Sequence, residues 1–367
     1  MEMLGHWNRR VLLALLFSFM AACSSPGDKG TQPSPGEGKG EGGSPSVETV
    51  AEGLATPWEI EFAGEDIYIT EREGSIVKVR GGKKERQPLS LSRPVVQEGE
   101  GGFLGMALAP DFEKTRRAYA YHTYREGNRL LNRVVLLEET DRGWREVRSL
   151  LEGIPGGAIH NGGRLRVGPD ERLYITTGDA GDEESAQEPR SLGGKILRLK
   201  LDGTVPADNP FPGSPVYSWG HRNPQGLDWS DDGVLYASEH GPSGMPSGHD
   251  EINRIKPGKN YGWPEIIGDQ GRKGMERPLF HSGSDTWAPS GLAVSGEKVY
   301  VACLRGEQVR VFDVKRRTSE VFLEGLGRVR DVAIRDGYLY LLTNNTDGRG
   351  DPRPGDDKLL RMKLKEG

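Results

Sequence analysis

Cysteine is scarce in this sequence of 367 residues, which contains only Cys23 and Cys303. No C-x-x-C or H-E-x-x-H motif is present, so neither a disulfide framework nor a common zinc site is expected. The net charge is −5 and no block of Lys and Arg occurs, which argues against a nucleic-acid-binding protein. No G-x-G-x-x-G motif follows a strand, which argues against a Rossmann site for a nicotinamide or a flavin.

Long apolar runs are also missing, and the longest one, from Val11 to Ala22, is too short for a membrane-spanning helix. Arg9 and Arg10 precede it, so we interpret residues 1–22 as an export signal. The residues that end in Cys23 resemble a bacterial lipobox, which implies that Cys23 is acylated and becomes the mature N-terminus. An ordinary secretory signal with an incidental cysteine is the alternative.

The next segment, residues 23–46, has the composition of a flexible tether, because 16 of the 23 residues after Cys23 are Ser, Gly or Pro. The folded domain is therefore expected over residues 47–367. We expect an exported protein that is anchored by its lipid to the membrane surface, on the periplasmic or cell-surface side. The lipid would be its only contact with the membrane. Cys303 is expected to be a buried apolar residue in a strand.

Glycine and proline are abundant, at 53 and 24 residues, which favours many short strands joined by turns over a helical bundle. A pattern of a short apolar segment, a turn and a strand with a tyrosine occurs six times. The tyrosines are Tyr68, Tyr119, Tyr174, Tyr236, Tyr300 and Tyr340. Repeats of about 40–60 residues with several strands each are typical of propeller blades. The sequence therefore predicts an all-β fold, a six-bladed β-propeller, and its function is expected on the loops.

Two of these loops carry residues suited to catalysis and ligand binding. His160 lies beside Asn161 and two glycines, and Asp179 in a later turn could orient its imidazole as a general base. Arg222 and Asn223 lie together before a strand, where they offer several donors to carboxylates or carbonyls.

Two further loops have residues suited to ions. Carbonyl and carboxylate oxygens around Gly241, Pro242, Glu251 and Tyr261 would suit Ca²⁺, although no EF-hand spacing is present. The basic residues are Arg305, Arg328 and Arg330. The last two share one face of an extended chain, where a polycarboxylate, a phosphate or the internal Asp331 could neutralise their charges.

Nine short motifs occur in one order between about Val47 and Lys365, and together they carry a resemblance. They are GEGGFLGMALAPDF, HNGGRL, TTGDAG, GHRNPQGL, EHGP, DEIN, NYGWP, WAPSG and RVRDV. On these motifs the chain resembles the soluble aldose sugar dehydrogenases, in the glucose/sorbosone dehydrogenase group, which use pyrroloquinoline quinone (PQQ) and Ca²⁺. The resemblance implies oxidation of the C1 hydroxyl of aldose sugars to lactones, with electrons passing to a quinone, a cytochrome or a dye.

The resemblance also implies a role for each matching residue. His160 would be the general base that Asp179 orients, and Arg222 with Asn223 would contact the quinone. The carbonyls of Gly241 and Pro242 would bind the Ca²⁺ that polarises the cofactor. The remaining implied contacts are Arg305, Arg328 and Arg330 with the cofactor carboxylates, and Glu251 with the Tyr261 carbonyl at a second, structural Ca²⁺.

Two positions depart from the glucose-oxidising members, and two other functions stay open. Glu100, which would lie near the base and the substrate and contribute to cofactor binding, stands where those members have Gln, and Arg305 stands where they have Lys. A calcium-dependent lactonase-like hydrolase would share the propeller without needing the arginines. A non-catalytic propeller that binds glycan or protein would not need His160.

Overall fold

Short strands and tight turns make up most of residues 46–364, the part of the chain that this computed structural model describes. The first strands are β1 (Glu48–Ala51), β2 (Pro57–Ala63), β3 (Asp66–Glu71), β4 (Ser75–Arg80), β5 (Lys83–Ser90), β6 (Phe103–Leu108), β7 (Arg117–Glu126), β8 (Arg129–Thr140) and β9 (Gly143–Pro155). The middle strands are β10 (Leu165–Val167), β11 (Arg172–Thr177), β12 (Lys195–Lys200), β13 (Val216–Trp219), β14 (Pro224–Trp229), β15 (Leu235–Glu239), β16 (Glu251–Ile255) and β17 (Phe280–His281). The last strands are β18 (Pro289–Ser295), β19 (Lys298–Cys303), β20 (Gln308–Asp313), β21 (Thr318–Glu324), β22 (Val329–Arg335), β23 (Tyr338–Thr343) and β24 (Leu359–Lys363).

Helical structure in residues 46–364 is limited to two single turns. One is α1 (Phe112–Thr115) and the other is a 3₁₀ turn over Glu183–Ala186. Neither turn has the length and apolar character that a helix of the described residues would need to cross a membrane. The predicted signal, Cys23 and the tether before Ser46 lie outside the described residues.

The strands form four four-stranded sheets and one eight-stranded sheet. Three of the four-stranded sheets are β10–β13, β14–β17 and β18–β21 in sequence order. The fourth joins β22, β23 and β24 to β1, so the first strand of the domain completes the last sheet. The eight-stranded sheet consists of β2–β5 and β6–β9, which meet where β5 pairs in parallel with β9.

A ring of contacts connects the sheets. The first strands of successive sets are β2, β6, β10, β14, β18 and β22; each contacts the next, and β22 contacts β2. Radial sheets around a common centre, closed by a terminal strand, form a β-propeller. The predictions of an all-β fold and of a β-propeller are therefore confirmed.

The repeated tyrosines lie in the second strand of each set and are buried, at 0–9% exposure. They pack between neighbouring strands and sheets, as Tyr340 does against Phe62 at 5.0 Å between ring centroids. Tyr174 packs in the same way against Tyr217 and Trp229. Successive side chains of a strand point to opposite faces of the sheet, so each tyrosine identifies a strand with a face buried against its neighbours. Cys303 is buried at the end of β19, as predicted.

Buried ion pairs connect the first strands near the centre of the ring. The Arg164 side chain is 0% exposed and lies between Glu59 Oε1, at 3.0 Å, and Asp331 Oδ1, at 3.1 Å. Its guanidinium also stacks 4.2 Å from the Trp58 ring and donates to the Gln225 carbonyl at 2.8 Å. Because these partners come from β2, β14 and β22, Arg164 fixes the strands whose ends carry the predicted functional residues.

Candidate functional site

The predicted functional residues come from one edge of several sheets. In an antiparallel pair, the start of one strand lies opposite the end of the next. Pro224 at the start of β14 is thus paired with Glu239 at the end of β15, and Val329 with Thr343 in the last sheet. Loops that are far apart in the sequence therefore meet at this edge.

His160 and Asp179 form a hydrogen-bonded pair. His160 Nδ1 lies 2.7 Å from Asp179 Oδ1, and the Asp179 side chain is 0% exposed. Asp179 Oδ2 accepts a hydrogen bond from Trp263 Nε1 at 2.9 Å, and Oδ1 also accepts one from the Gly181 N–H at 2.8 Å. A carboxylate held at both oxygens fixes the imidazole with Nδ1–H as donor, which leaves Nε2 free to accept a proton.

The backbone around this pair is unusual. His160 has a φ of 55°, in the left-handed region that a side chain rarely adopts. Its N–H donates to Glu100 Oε2 at 2.9 Å, which holds the residue in that conformation. Gly178, immediately before Asp179, passes so close to the His160 carbonyl that a Cβ there would collide with it. A glycine at position 178 is therefore required for the two loops to approach.

Arg222 and Asn223 lie beside the pair and are buried, at 6% and 0% exposure. Arg222 Nη2 donates to Ser243 Oγ at 2.9 Å, and its guanidinium lies 5.3 Å from the Trp263 ring centroid. Asn223 Oδ1 accepts from the Gly162 N–H at 3.0 Å. Within the described residues, Arg222 Nε and Asn223 Nδ2 are buried donors without a hydrogen-bond partner. Buried donors of this kind are costly unless a ligand accepts from them.

A cavity that we call the carbonyl cavity brings together all four residues predicted to bind metal. Its lining includes Gly241, Pro242, Glu251 and Tyr261, together with Glu239 and His240. In residues 46–364, no hydrogen bond is donated to the backbone carbonyls of Gly241, Pro242 or Tyr261. No three His, Cys, Asp or Glu side chains converge on a metal position in this part of the chain. Any metal here would therefore depend mainly on backbone oxygens.

The two carboxylates of the carbonyl cavity, Glu239 and Glu251, form no ion pair with a Lys or Arg of the described residues, although Arg222 lines the same cavity. Burial raises the pKa of Glu251 to about 8, and the neighbouring Glu239 carboxylate adds to the increase. Glu239 itself accepts hydrogen bonds from His221 Nδ1 at 2.8 Å and from the Arg222 N–H. Two close carboxylates favour the binding of a cation between or beside them. The segment 243–249 folds back so that Gly241 packs directly against the backbone of Gly248 and His249.

A second cavity, which we call the arginine cavity, adjoins the first because His240 lines both. Its charged lining residues are Arg72, Glu100, Arg330, Asp347 and Arg349. Burial lowers the pKa of His240 to about 3, so its imidazole is neutral, and its buried Nε2 has no partner within the described residues. Two wider clefts, near Phe62 and near Met275, contain none of the predicted site residues.

The predicted arginines differ in position. Arg328 and Arg330 are both 6% exposed, and the Arg328 guanidinium pairs with Asp347 Oδ2 at 2.8 Å. The internal carboxylate that pairs closely with Arg328 is thus Asp347, not Asp331, because Asp331 points to Arg164. Arg305 is exposed and has no ion pair within residues 46–364. It does not line the arginine cavity, although the preceding residue, Leu304, does.

Comparisons with known proteins show the family to which the chain belongs. The family model for glucose/sorbosone dehydrogenase matches residues 54–361. The chain belongs to the glucose/sorbosone dehydrogenase family. It is 31% identical to the aldose sugar dehydrogenase YliI of Escherichia coli, over 83% of this chain and 91% of that protein. It is 34% identical to quinoprotein glucose dehydrogenase B of Acinetobacter calcoaceticus, over 55% of this chain and 48% of that protein.

A solved structure of a family member is also similar. The PQQ-bound aldose sugar dehydrogenase of Streptomyces coelicolor superposes with a TM-score of 0.80 at 41% identity. The match covers 87% of this chain and 99% of that one. The resemblance that the nine motifs indicated is therefore confirmed for the glucose/sorbosone dehydrogenase family.

Four residues of this site had no role in the predictions from the sequence. Asp347 and Arg349 lie in the long irregular segment after β23, so a long loop was the available signal. Trp263 lies within the motif NYGWP. This motif indicated a functional loop but did not predict that the indole N–H donates to Asp179. Arg72 follows β3, where it donates to the carbonyls of Gly99 and Gly101, and nothing in the sequence distinguished it from a surface arginine.

Proposed function

We propose that this protein is a PQQ- and calcium-dependent dehydrogenase that oxidises the C1 hydroxyl of aldose sugars to lactones. The observation that carries the proposal is the His160–Asp179 pair, held at 2.7 Å beside the unpartnered donors of Arg222 and Asn223. The family match and the similarity to a PQQ-bound aldose sugar dehydrogenase support the cofactor and the substrate class.

The donor set suits a quinone that carries three carboxylates. Buried Arg222 Nε and Asn223 Nδ2 would donate to its quinone and carboxyl oxygens, and Arg328 and Arg330 would pair with its carboxylates. Arg305, which is exposed, would reach the cofactor only from the rim. When bound, the cofactor supplies an acceptor for the hydrogen and two electrons that leave C1, which no side chain can supply.

The residues of this chain would control the proton. His160 Nε2 would take the proton of the C1 hydroxyl while the C1–H bond breaks and its electron pair leaves, so that C1 becomes the lactone carbonyl. Asp179 would hold the imidazole in the required tautomer and stabilise its positive charge. Arg222 would stabilise the negative charge that develops on the acceptor oxygen, in a buried position where such an interaction is strong.

The carbonyl cavity would hold Ca²⁺. The carbonyls of Gly241 and Pro242 have no hydrogen-bond donors in the described residues, and hard oxygen ligands suit this ion. The Tyr261 carbonyl and the Glu251 carboxylate would hold a second, structural Ca²⁺. Both sets of ligands line the same cavity.

We further propose six blades, with the eight-stranded sheet counted as two, and anchoring through acylated Cys23 to the outer side of a membrane. The ring of six first strands supports the blade count. Incorporation of labelled palmitate that is lost in Cys23→Ala would support the anchor, whereas equal labelling of both proteins would contradict it. The electron acceptor would be a membrane quinone, a cytochrome or, in vitro, a dye.

Dye reduction by the domain from Val47 onward tests the main proposal. Aldoses are offered with PQQ, with Ca²⁺, with both and with neither, and His160→Ala is the control. We expect activity that needs both additions and falls by about 10²–10⁴-fold in the variant. Lactone hydrolysis without PQQ would favour the lactonase. Absence of any PQQ binding, detected by fluorescence quenching, would favour a non-catalytic propeller.

A further inference from the structure

The arginine cavity contains carboxylates of this chain at the positions where a ligand carboxylate would be expected. Arg328 donates to Asp347 Oδ2 from Nε at 3.2 Å and from Nη2 at 2.8 Å. Arg349 Nη1 donates to Glu100 Oε1 at 2.7 Å. The Asp347 side chain is only 3% exposed, and both carboxylates line the cavity itself. Each pair is therefore positioned to exchange its partner for a ligand.

The charges in and beside this cavity do not balance. Four arginines lie there, Arg72, Arg328, Arg330 and Arg349, against the two carboxylates of Glu100 and Asp347. These residues alone thus leave an excess of two positive charges. A tricarboxylate carries three negative charges and would more than neutralise this excess. Because Glu100 and Asp347 both line the cavity, its carboxylates would also come close to theirs. Like charges in a buried site repel strongly.

Arg330 is a buried cation of this cavity whose hydrogen bonds go to neutral groups only. Its Nε and Nη2 donate to the neutral Asn344 Oδ1 at 2.9 and 2.8 Å, and its Nη1 donates to Gln225 Oε1 at 3.0 Å. The nearest carboxylate, Asp347, is 3.9 Å away. Burial, together with the charges of Arg72 and Arg328, lowers the pKa of Arg330 to about 9. Arg330 is therefore a position where an added carboxylate would gain an ion pair without displacing one.

We propose that Asp347, with Glu100, acts as an internal counter-ion that holds the arginines when no cofactor is bound and competes with the cofactor carboxylates for them. This inference rests on the proposed function. It makes Asp347 a residue that weakens cofactor affinity while it stabilises the ligand-free fold. Exchange between free and bound cofactor would be easier than a fully preorganised cationic site would allow.

The decisive variant is Asp347→Asn, which keeps the shape and one acceptor oxygen but removes the charge. The matched control is Glu297→Gln, which removes a carboxylate from the exposed pair with Lys315, outside both cavities. The dissociation constant for PQQ is measured by fluorescence quenching in Ca²⁺. The unfolding temperature is measured with and without PQQ.

We expect Asp347→Asn to bind PQQ at least about tenfold more tightly than the wild type and to unfold at a lower temperature without ligand. Glu297→Gln should match the wild type in affinity. Equal or weaker binding by Asp347→Asn overturns the inference while leaving the proposed function intact. If Asp347→Asn fails to fold, Glu100→Gln is measured in its place, with the same expectation and the same contrary result.

A second probe separates this inference from the proposed function. Citrate carries three carboxylates but no quinone, so it reports the cationic cavity alone. A larger citrate-induced rise in unfolding temperature in Asp347→Asn than in the wild type supports the counter-ion role, even if the wild type binds no PQQ. In that event the proposed function fails and the counter-ion remains. Equal rises in both proteins overturn the counter-ion.

Discussion

Replacement of Asp179 by Asn probes the base pair through a conflict between hydrogen-bond donors. The Asp179 carboxylate accepts from His160 Nδ1 and the Gly181 N–H at one oxygen, and from Trp263 Nε1 at the other. An Asn must direct its NH₂ group at one of these two sets. An amide turned toward Trp263 loses one hydrogen bond, whereas one turned toward His160 loses two. The first orientation is therefore expected.

The magnitudes follow from this orientation. Two buried donors, the Trp263 Nε1–H and the new amide NH₂, would face each other, and an unsatisfied buried donor costs about 1–3 kcal/mol. We expect the free energy of unfolding to fall by about this amount. The amide oxygen still faces His160, so the tautomer survives and only the carboxylate charge is lost. General base catalysis typically accelerates a reaction by about 10²–10⁴-fold, and loss of the charge should remove only part of this factor. We therefore expect kcat to fall by roughly 10- to 100-fold.

The assay compares kcat and urea unfolding in Asp179→Asn, Trp263→Phe and the double variant. Trp263→Phe removes the indole N–H, so the double variant should be no less stable than Trp263→Phe alone. Its kcat should remain as low as that of Asp179→Asn, because the carboxylate is still missing. A kcat for Asp179→Asn close to the wild-type value, or recovery of kcat in the double variant, would refute the reasoning.

Three further predictions concern stability and binding. Arg164→Met leaves the buried Asp331 carboxylate without its ion-pair partner and Glu59 with Arg166 alone, so it should lower the free energy of unfolding in urea by about 3–5 kcal/mol; a change below about 1 kcal/mol would contradict it. The deficit should shrink at acid pH, because burial already raises the pKa of Glu59 and loss of the arginine charge raises it further. Burial raises the pKa of Glu61 to about 7, so the folded protein holds a proton that the unfolded chain has released, and stability should fall as pH rises toward 7. Glu61→Gln should flatten that decline in thermal scans, and an unchanged slope would exclude Glu61 as its source. Arg222→Lys keeps the charge but not the Nε donor, so PQQ quenching should show at least about tenfold weaker binding, and unchanged affinity would exclude that contact.

The fold could be predicted because the repeated pattern has a direct physical cause. Each tyrosine copy marks a second strand that is buried between sheets, and alternation along the strand makes the pattern visible. The pairing of β5 with β9 and the return of β1 to β24 could not be predicted. Edge-strand pairing depends on backbone groups that every residue carries, so the sequence contains little signal for it.

The site could be predicted in part. His160 with Asp179, and Arg222 with Asn223, were found because their motifs place several polar groups within a few residues of glycine. The hydrogen bond between His160 and Asp179 is as expected. Of the counter-ions that the sequence left open for Arg328 and Arg330, the internal Asp331 is not the one observed, because the fold directs that carboxylate toward Arg164 at the centre of the ring.

Asp347 and Arg349 show why such partners escape sequence reasoning. Arg349 reaches Glu100 across 249 positions of the chain. A contact of this kind depends on closure of the ring, which brings the last loops beside the first. Arg72 was missed for a similar reason, since its partners are backbone carbonyls that no motif reveals.

The redox state of the bound cofactor in a single turnover shows directly whether this protein oxidises an aldose with PQQ as the electron acceptor. Protein loaded with PQQ and Ca²⁺ is mixed without oxygen or dye with an aldose, either unlabelled or deuterated at C1, and the quinone absorbance is followed. We expect the bound quinone to become reduced, more slowly with the deuterated sugar, and far more slowly in His160→Ala. A quinone that is bound yet stays oxidised with every aldose would contradict the proposed function.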